Sequence, residues 1–155
     1  MFKHILLPTD GSDLSEAAIR KGVLFAKSIG ARVTGFYAAP EFHVFTYQTE
    51  MLEDTKEQFL KDSRARAERY LATIQKAAQE AGVACETVRV TSDQPYEAIL
   101  EAAQDKGCDL ILMASHGRKG LRGVLLGSET QKVLTHAKLP VLVWHGDDAQ
   151  LSPRR

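Results

Sequence analysis

The 155-residue chain is expected to fold as an α/β protein, an open parallel five-stranded sheet with helices on both faces. Three observations carry that expectation. Short apolar runs alternate with segments of helical period, strand then helix, along the whole chain, as parallel sheets joined by right-handed crossovers require. The run Leu110-Ile111-Leu112-Met113 is apolar without interruption, the pattern of a strand covered on both faces. Three of the helical segments end on a glycine, at Gly30, Gly82 and Gly107, as helix C-termini commonly do.

The first strand is expected over residues 3–8, with Pro8 at its end. Thr9-Asp10-Gly11-Ser12 is turn chemistry. Asp13 is the expected N-cap of the first helix, with Glu16 three residues on completing a capping box. That helix runs to about residue 29, and Ala18, Gly22, Phe25, Ala26 and Ile29 share its apolar face. Strand two covers residues 32–38, and Pro40 closes it. Residues 41–49 read as irregular and carry Phe42, His43, Phe45 and Tyr47, read as a patch packed on the second helix. That long helix spans about residues 50–81, with Phe59, Ala67, Tyr70, Ile74, Ala78 and Ala81 as its stripe. Strand three, residues 84–90, alternates apolar and charged residues and so reads as an edge or half-exposed strand. Pro95 stands near the start of helix three, whose sheet-facing residues are Ala98, Ile99, Ala102 and Ala103. Helix four begins at Ser128, paired with Gln131 as a second capping box, and buries Val133, Leu134 and Ala137. Strand five covers residues 140–144. Residues 1–145 make one domain, and residues 146–155 a polar tail expected to be disordered.

Composition narrows the function. Lys+Arg and Asp+Glu are both 20, so net charge is zero, which argues against a nucleic-acid binder driven by bulk charge. Hydrophobic residues make up 44%, typical of a globular protein, and no run reaches the ~18 apolar residues of a membrane span. Pro8 and Asp10 interrupt the opening apolar run, which therefore reads as a strand and not a signal peptide. Cys85 and Cys108 show neither metal nor redox spacing, so they are expected to be reduced, partly buried thiols of a cytoplasmic protein. The five histidines are scattered and give no metal-ligand spacing.

The most apolar strands, one and four, should be central neighbours, which fits the order 3-2-1-4-5. In such a sheet the order reverses between strands one and four, and ligands bind there, outside the carboxyl ends. Thr9-Asp10-Gly11 and Ala114-Ser115-His116-Gly117 both emerge at that crevice. The Asp10 carboxylate suits a ribose hydroxyl or a magnesium ion; its plainer role is a turn that bonds its own backbone. After Gly117 comes a basic loop with Arg118, Lys119 and Arg122, closing at Gly127-Ser128 where a helix starts. Small residues, basic side chains and a helix N-terminus together make an anion site, most simply a phosphate site. His116 has no nucleophile and orienting acid to work with, so it is not assigned as a catalytic base.

The stretch Asp109 to Ser128 also resembles the universal stress protein family. That family's signature is Gly, two residues, Gly, nine residues, then Gly-Ser or Gly-Thr. Gly117, the nine residues from Arg118 to Leu126, and Gly127-Ser128 match it, and Ala114 stands where the first glycine would be. The opening ILLPTDGS and the closing LPVLVW are similar to the family's first and last strands. The resemblance implies the 3-2-1-4-5 sheet of the adenine nucleotide alpha hydrolase-like fold and binding of ATP, ADP or AMP, with Mg2+ as a candidate companion ion. It implies adenine contacts near Ala38 and pairing of two chains through residues 140–144. The nucleotide-binding set expected from crevice and resemblance together is Pro8, Thr9, Asp10, Ala38, Met113, Ala114, Ser115, His116, Gly117, Arg118, Gly127, Ser128, Glu129 and Thr130. The activity expected is a stress-response regulator with at most slow hydrolysis, free of nucleic-acid and membrane partners. The rivals are a nucleotide-free dimeric interaction module, kept open by the Ala114 methyl, and an adenylating or pyrophosphatase-type enzyme. The second would carry a serine- and glycine-rich loop after strand one, which Pro8-Thr9-Asp10-Gly11-Ser12 does not supply. A dinucleotide oxidoreductase would need Gly-x-Gly-x-x-Gly there.

Overall fold

A computed structural model describes residues 1–43, 49–117 and 126–146, with side chains from residue 55 onward in the middle segment. In chain order the elements are β1 (His4–Pro8), α1 (Asp13–Ile29), β2 (Arg32–Ala39), α2 (Thr49–Ala81), β3 (Cys85–Thr91), α3 (Pro95–Asp105), β4 (Leu110–Ala114), α4 (Ser128–His136) and β5 (Val141–Trp144). All the strands pair in parallel, in the order β3-β2-β1-β4-β5. This is the topology expected from the alternation of elements. Every residue of β1 and β4 is buried, as their apolar runs require. β3 lies at one edge and is only half buried, in keeping with its alternating sequence.

The period of two along the strands sorts the core into two layers. Ile5 and Leu7, Val33, and Leu110, Leu112 and Ala114 pack with Ala18, Ile19, Val23 and Ala26 of α1 and with Ile74 and Ala78 of α2. Leu6, Phe36, Ile111 and Met113 face the other way, onto Ala98, Ile99, Ala102 and Ala103 of α3 and Val133 of α4.

Four local expectations are corrected. Ser12, not Asp13, caps α1: its Oγ accepts the Ser15 N–H at 3.2 Å, and Asp13 stands in the first turn, where the helix dipole favours its charge. The buried stripe of α1 follows Ser15, Ala18, Ile19, Gly22, Val23 and Ala26, so Phe25 is only partly covered and Ile29 lies exposed past its end. The cap of α4 is Gly127, with no side-chain bond, and Ser128 is already the first helical residue. α4 is nine residues long and buries only Thr130 and Val133; Leu134 is exposed and Ala137 is its C-cap. Phe45, Tyr47 and residues 147–155 of the tail lie outside the described residues; Phe42 does pack on α2, its ring 5.3 Å from that of Phe59. Both cysteines are free and half buried, and burial pushes their thiols up, Cys108 to about 11. Among the described residues no helix is long and apolar enough to cross a membrane.

The amino ends of the strands carry a polar chain. Asp109 accepts the Lys3 and His4 N–H groups at 2.8 and 3.0 Å, tying the start of β1 to β4. His4 Nε2 meets Thr34 Oγ1 at 2.6 Å, and Thr34 Oγ1 donates to Glu86 Oε1 at 3.2 Å. With its proton directed to Glu86, the Thr34 hydroxyl accepts from His4, which places the imidazole proton on Nε2. His4 Nδ1 is buried without a partner among the described residues. Burial, with Arg32 nearby, holds the His4 pKa below its ordinary 6.5. The unfolded chain therefore binds the proton more readily, so this histidine's contribution is full above about pH 6.5 and is lost as pH falls toward its folded value. We expect urea midpoints to decline between neutral pH and about pH 5, and His4→Leu to flatten that decline. Parallel pH profiles for wild type and variant would assign the loss to other groups.

Candidate functional site

The carboxyl ends of β1 and β4 stand side by side, and the helices that follow leave on opposite faces of the sheet. That divergence opens a cleft of about 450 Å³. Its apolar wall is Pro8, Phe36, Ala38, Ile99 and Met113, from β1, β2, α3 and β4. Its polar lip is Thr9, Asp10, Asp93, His116, Ser128 and Glu129. Tyr37, Pro95, Ser15, Ala114 and Gly117 complete the lining.

Two close approaches shape the mouth. Gly11 takes φ +80°, and a Cβ there would run into the Tyr70 ring, so a side chain would be both strained and blocked. Tyr70 is in turn buried edge-on against Tyr37, with ring centroids 5.2 Å apart, which couples the Asp10-Gly11 turn to α2. On the opposite wall, any Cβ on Gly117 would overlap the Asp10 carboxylate. The turn after β1 and the turn after β4 thus meet through a carboxylate seated on a bare Cα.

The carboxylates of the lip each anchor backbone. Asp10 Oδ1 accepts the Ser12 N–H at 2.9 Å, the turn expected of it, which fixes the side chain toward Gly117. Asp93 Oδ1 accepts the Glu41 N–H at 3.0 Å. Glu129 Oε2 accepts the Tyr96 N–H at 3.0 Å and so caps α3, whose own N-cap, Gln94, makes no side-chain bond; Glu129 Oε1 takes Lys132 Nζ at 3.2 Å. Thr9 is held by its hydroxyl, which accepts from Gly11 N at 3.0 Å and meets Ser15 Oγ at 3.1 Å.

The structure gathers Pro8, Thr9, Asp10, Ala38, Met113, Ala114, His116, Gly117, Ser128 and Glu129 around one cleft. Ser115 and Thr130 sit behind it. Ser115 is 1% exposed and pairs with β5, its N–H donating to Trp144 O at 2.8 Å. Thr130 is 3% exposed and donates to Ala114 O at 2.9 Å. Gly127 also stands back from the lining; its N–H closes the turn by donating to Ser115 O at 2.6 Å. Ala114 lies in the α1-side layer as well as at the cleft wall. Arg118, Lys119 and Arg122 lie outside the described residues. Sequence reading missed Ser15, Phe36, Tyr37, Asp93, Pro95 and Ile99. The rule that ligands gather at strand carboxyl ends, applied to β2 and β3 as well as β1 and β4, would have found Phe36, Tyr37 and Asp93.

Chemically, the cleft offers an apolar wall beside a polar lip onto which the amino end of α4 opens. The first turn of α4 presents its positive end there, and Ser128 is on the lining. That combination suits a planar heterocycle joined to an anion. His116 Nδ1 meets Ser115 Oγ at 3.2 Å, and among the described residues no hydrogen bond joins His116 to a carboxylate as a relay of nucleophile, base and acid needs.

A family model described as the universal stress protein family matches residues 1–145. A universal stress protein of Methanocaldococcus jannaschii is 34% identical over 143 residues, spanning 92% of this chain and 82% of that protein. Among solved structures, another M. jannaschii universal stress protein superposes with a TM-score of 0.79 at 28% identity, over 95% of this chain and 98% of that one. A universal stress protein solved in complex with cAMP superposes with a TM-score of 0.69 at 25% identity, over 94% and 99% of the two chains.

Proposed function

This chain belongs to the universal stress protein family, and from that membership we propose that it is a cytoplasmic, adenine-nucleotide-binding regulator of a stress response that works as a homodimer. The observation that carries the reading is the cleft where the strand order reverses, with an apolar wall at one end and the N-terminus of α4 at the other. A relative of the same fold was solved holding cAMP, an adenine nucleotide. In this reading the base lies against Phe36, Ala38, Ile99 and Met113, and Asp10 takes a ribose hydroxyl. The phosphates run past Gly117 toward Ser128, and Arg118 adds positive charge to them. Residues 1–145 form the binding domain and residues 146–155 its polar tail.

A magnesium ion that accompanies ATP keeps most of its waters and needs one or two carboxylates beside the phosphates. Asp10 lines the same end of the cleft as Ser128 and is the carboxylate we assign to that ion. Such an ion would supply charge neutralisation of the phosphates. Any hydrolysis is proposed to be slow, with the protein acting by its bound state.

Calorimetry on nucleotide-free protein tests this with ATP, ADP and AMP. We expect saturable one-to-one binding and a raised melting temperature. The stabilisation is RT ln(1 + [L]/Kd), about 2.7 kcal/mol at a hundredfold excess over Kd. Asp10→Ala should weaken binding about tenfold or more while costing only about 1 kcal/mol of stability through the lost Ser12 contact. Unchanged affinity with lowered stability would reduce Asp10 to a turn residue. Absence of binding by all three nucleotides would favour the interaction module, and rapid turnover the enzyme.

The dimer is assigned to β5, the outer strand beyond β4. Val141 and Val143 are half buried and Leu142 is 37% exposed in the single chain, an apolar edge of the kind that invites pairing. Sedimentation at micromolar concentration should give a dimer, and Val143→Lys should yield monomer. A wild-type monomer would remove the dimer from the proposal.

A further inference from the structure

We infer a divalent metal site of the zinc class on the rim of the cleft, formed by Glu41, His43 and Asp93. Nothing in the spacing of these residues announces it: Asp93 is fifty residues from His43. Strand pairing brings them together. β2 and β3 run in parallel with Ala39 opposite Thr91, so the two chains leave the sheet side by side. Asp93 Oδ1 then accepts the Glu41 N–H at 3.0 Å and ties one exit to the other. Between Glu41 and His43, Phe42 turns inward onto Phe59 of α2, ring centroids 5.3 Å apart, which leaves both flanking side chains outward. His43 Nε2 meets Asp93 Oδ2 in a short hydrogen-bonded pair. The ligand atoms of all three residues lie within 4.8 Å of one another.

The donor set selects the ion. One imidazole nitrogen and two carboxylate oxygens match borderline cations such as Zn2+; Mg2+ and Ca2+ take oxygen almost alone. Two carboxylates with a neutral imidazole balance a dipositive charge. Donors about 2.0–2.1 Å from a tetrahedral zinc stand roughly 3.3 Å apart, so small rotations of three exposed side chains suffice to close on it. Three protein ligands leave a fourth position for water or an incoming group. Asp93 also lines the cleft, so the ion would stand at its lip. The site does not depend on nucleotide binding, since none of its donors needs a ligand in the cleft.

Titration of the full, nucleotide-free chain with Zn2+, and separately with Mg2+, in a non-chelating buffer tests the site. We expect one saturable Zn2+ per chain, no comparable Mg2+ binding, and a Zn2+-dependent rise in melting temperature. His43→Ala and Glu41→Gln, both exposed and outside the cleft lining, should fold normally by circular dichroism and bind Zn2+ about tenfold more weakly or worse. Absence of saturable uptake at micromolar to sub-millimolar Zn2+ would overturn the inference and leave a surface ion pair. Uptake that survives His43→Ala but vanishes in Cys85→Ser or Cys108→Ser would place the metal elsewhere and overturn it equally.

Discussion

The site depends on one close approach, the Asp10 carboxylate seated on the Cα of Gly117. Parallel sheets with a reversed strand order separate their helices at the reversal and leave a gap there. Left alone, the turns closing β1 and β4 would have no reason to hold a fixed distance across it. Here the Asp10 side chain is oriented by the Ser12 N–H, Gly11 is pinned beneath Tyr70, and Gly117 offers a surface without a side chain. The gap becomes a cleft of defined width. The same carboxylate lines the cleft together with Ser128, at the N-terminus of α4, whose dipole favours anions.

A second regularity is how the cleft manages its acidic side chains. Asp10, Asp93 and Glu129 all face a region proposed to receive an anion, yet each accepts a backbone N–H at a turn or helix start. Hydrogen bonds from backbone spread their charge and set their direction. Glu129 does most, since it caps α3 from the first turn of α4 and takes Lys132 as counter-ion. The two helices that close one side of the cleft are thereby joined at their amino ends.

Much of this was legible in the sequence, for physical reasons that can be named. The uninterrupted apolar runs of β1 and β4 identified the centre of the sheet, because only strands covered on both faces can be so apolar. Once those strands were central, the reversal and the crevice followed, and Asp10, His116 and Gly117 fell beside it. Side-chain commitments were not legible. Thr130 reads like a ligand-facing hydroxyl, but it is buried and its proton goes to Ala114 O. α4 is short and turns only Thr130 and Val133 inward, so the adjacent apolar Leu134 is exposed. Asp93 escaped notice because its neighbours, Glu41 and His43, are brought to it only by strand pairing. Ala114 reads as a methyl in the ligand's way, whereas in the fold it also belongs to the α1-side layer.

The central claim is that adenine nucleotide occupies the cleft between β1 and β4, with its base on the apolar wall and its phosphates at α4. Amide chemical-shift mapping on nucleotide-free protein during titration with ATP tests it most directly. The account predicts that the largest shifts fall on Asp10, Gly11, Ala38, Gly117, Ser128 and Glu129, with those of β3 and the amino ends of the strands nearly still. Saturable shifts centred elsewhere, or no saturable shifts at all, would contradict it.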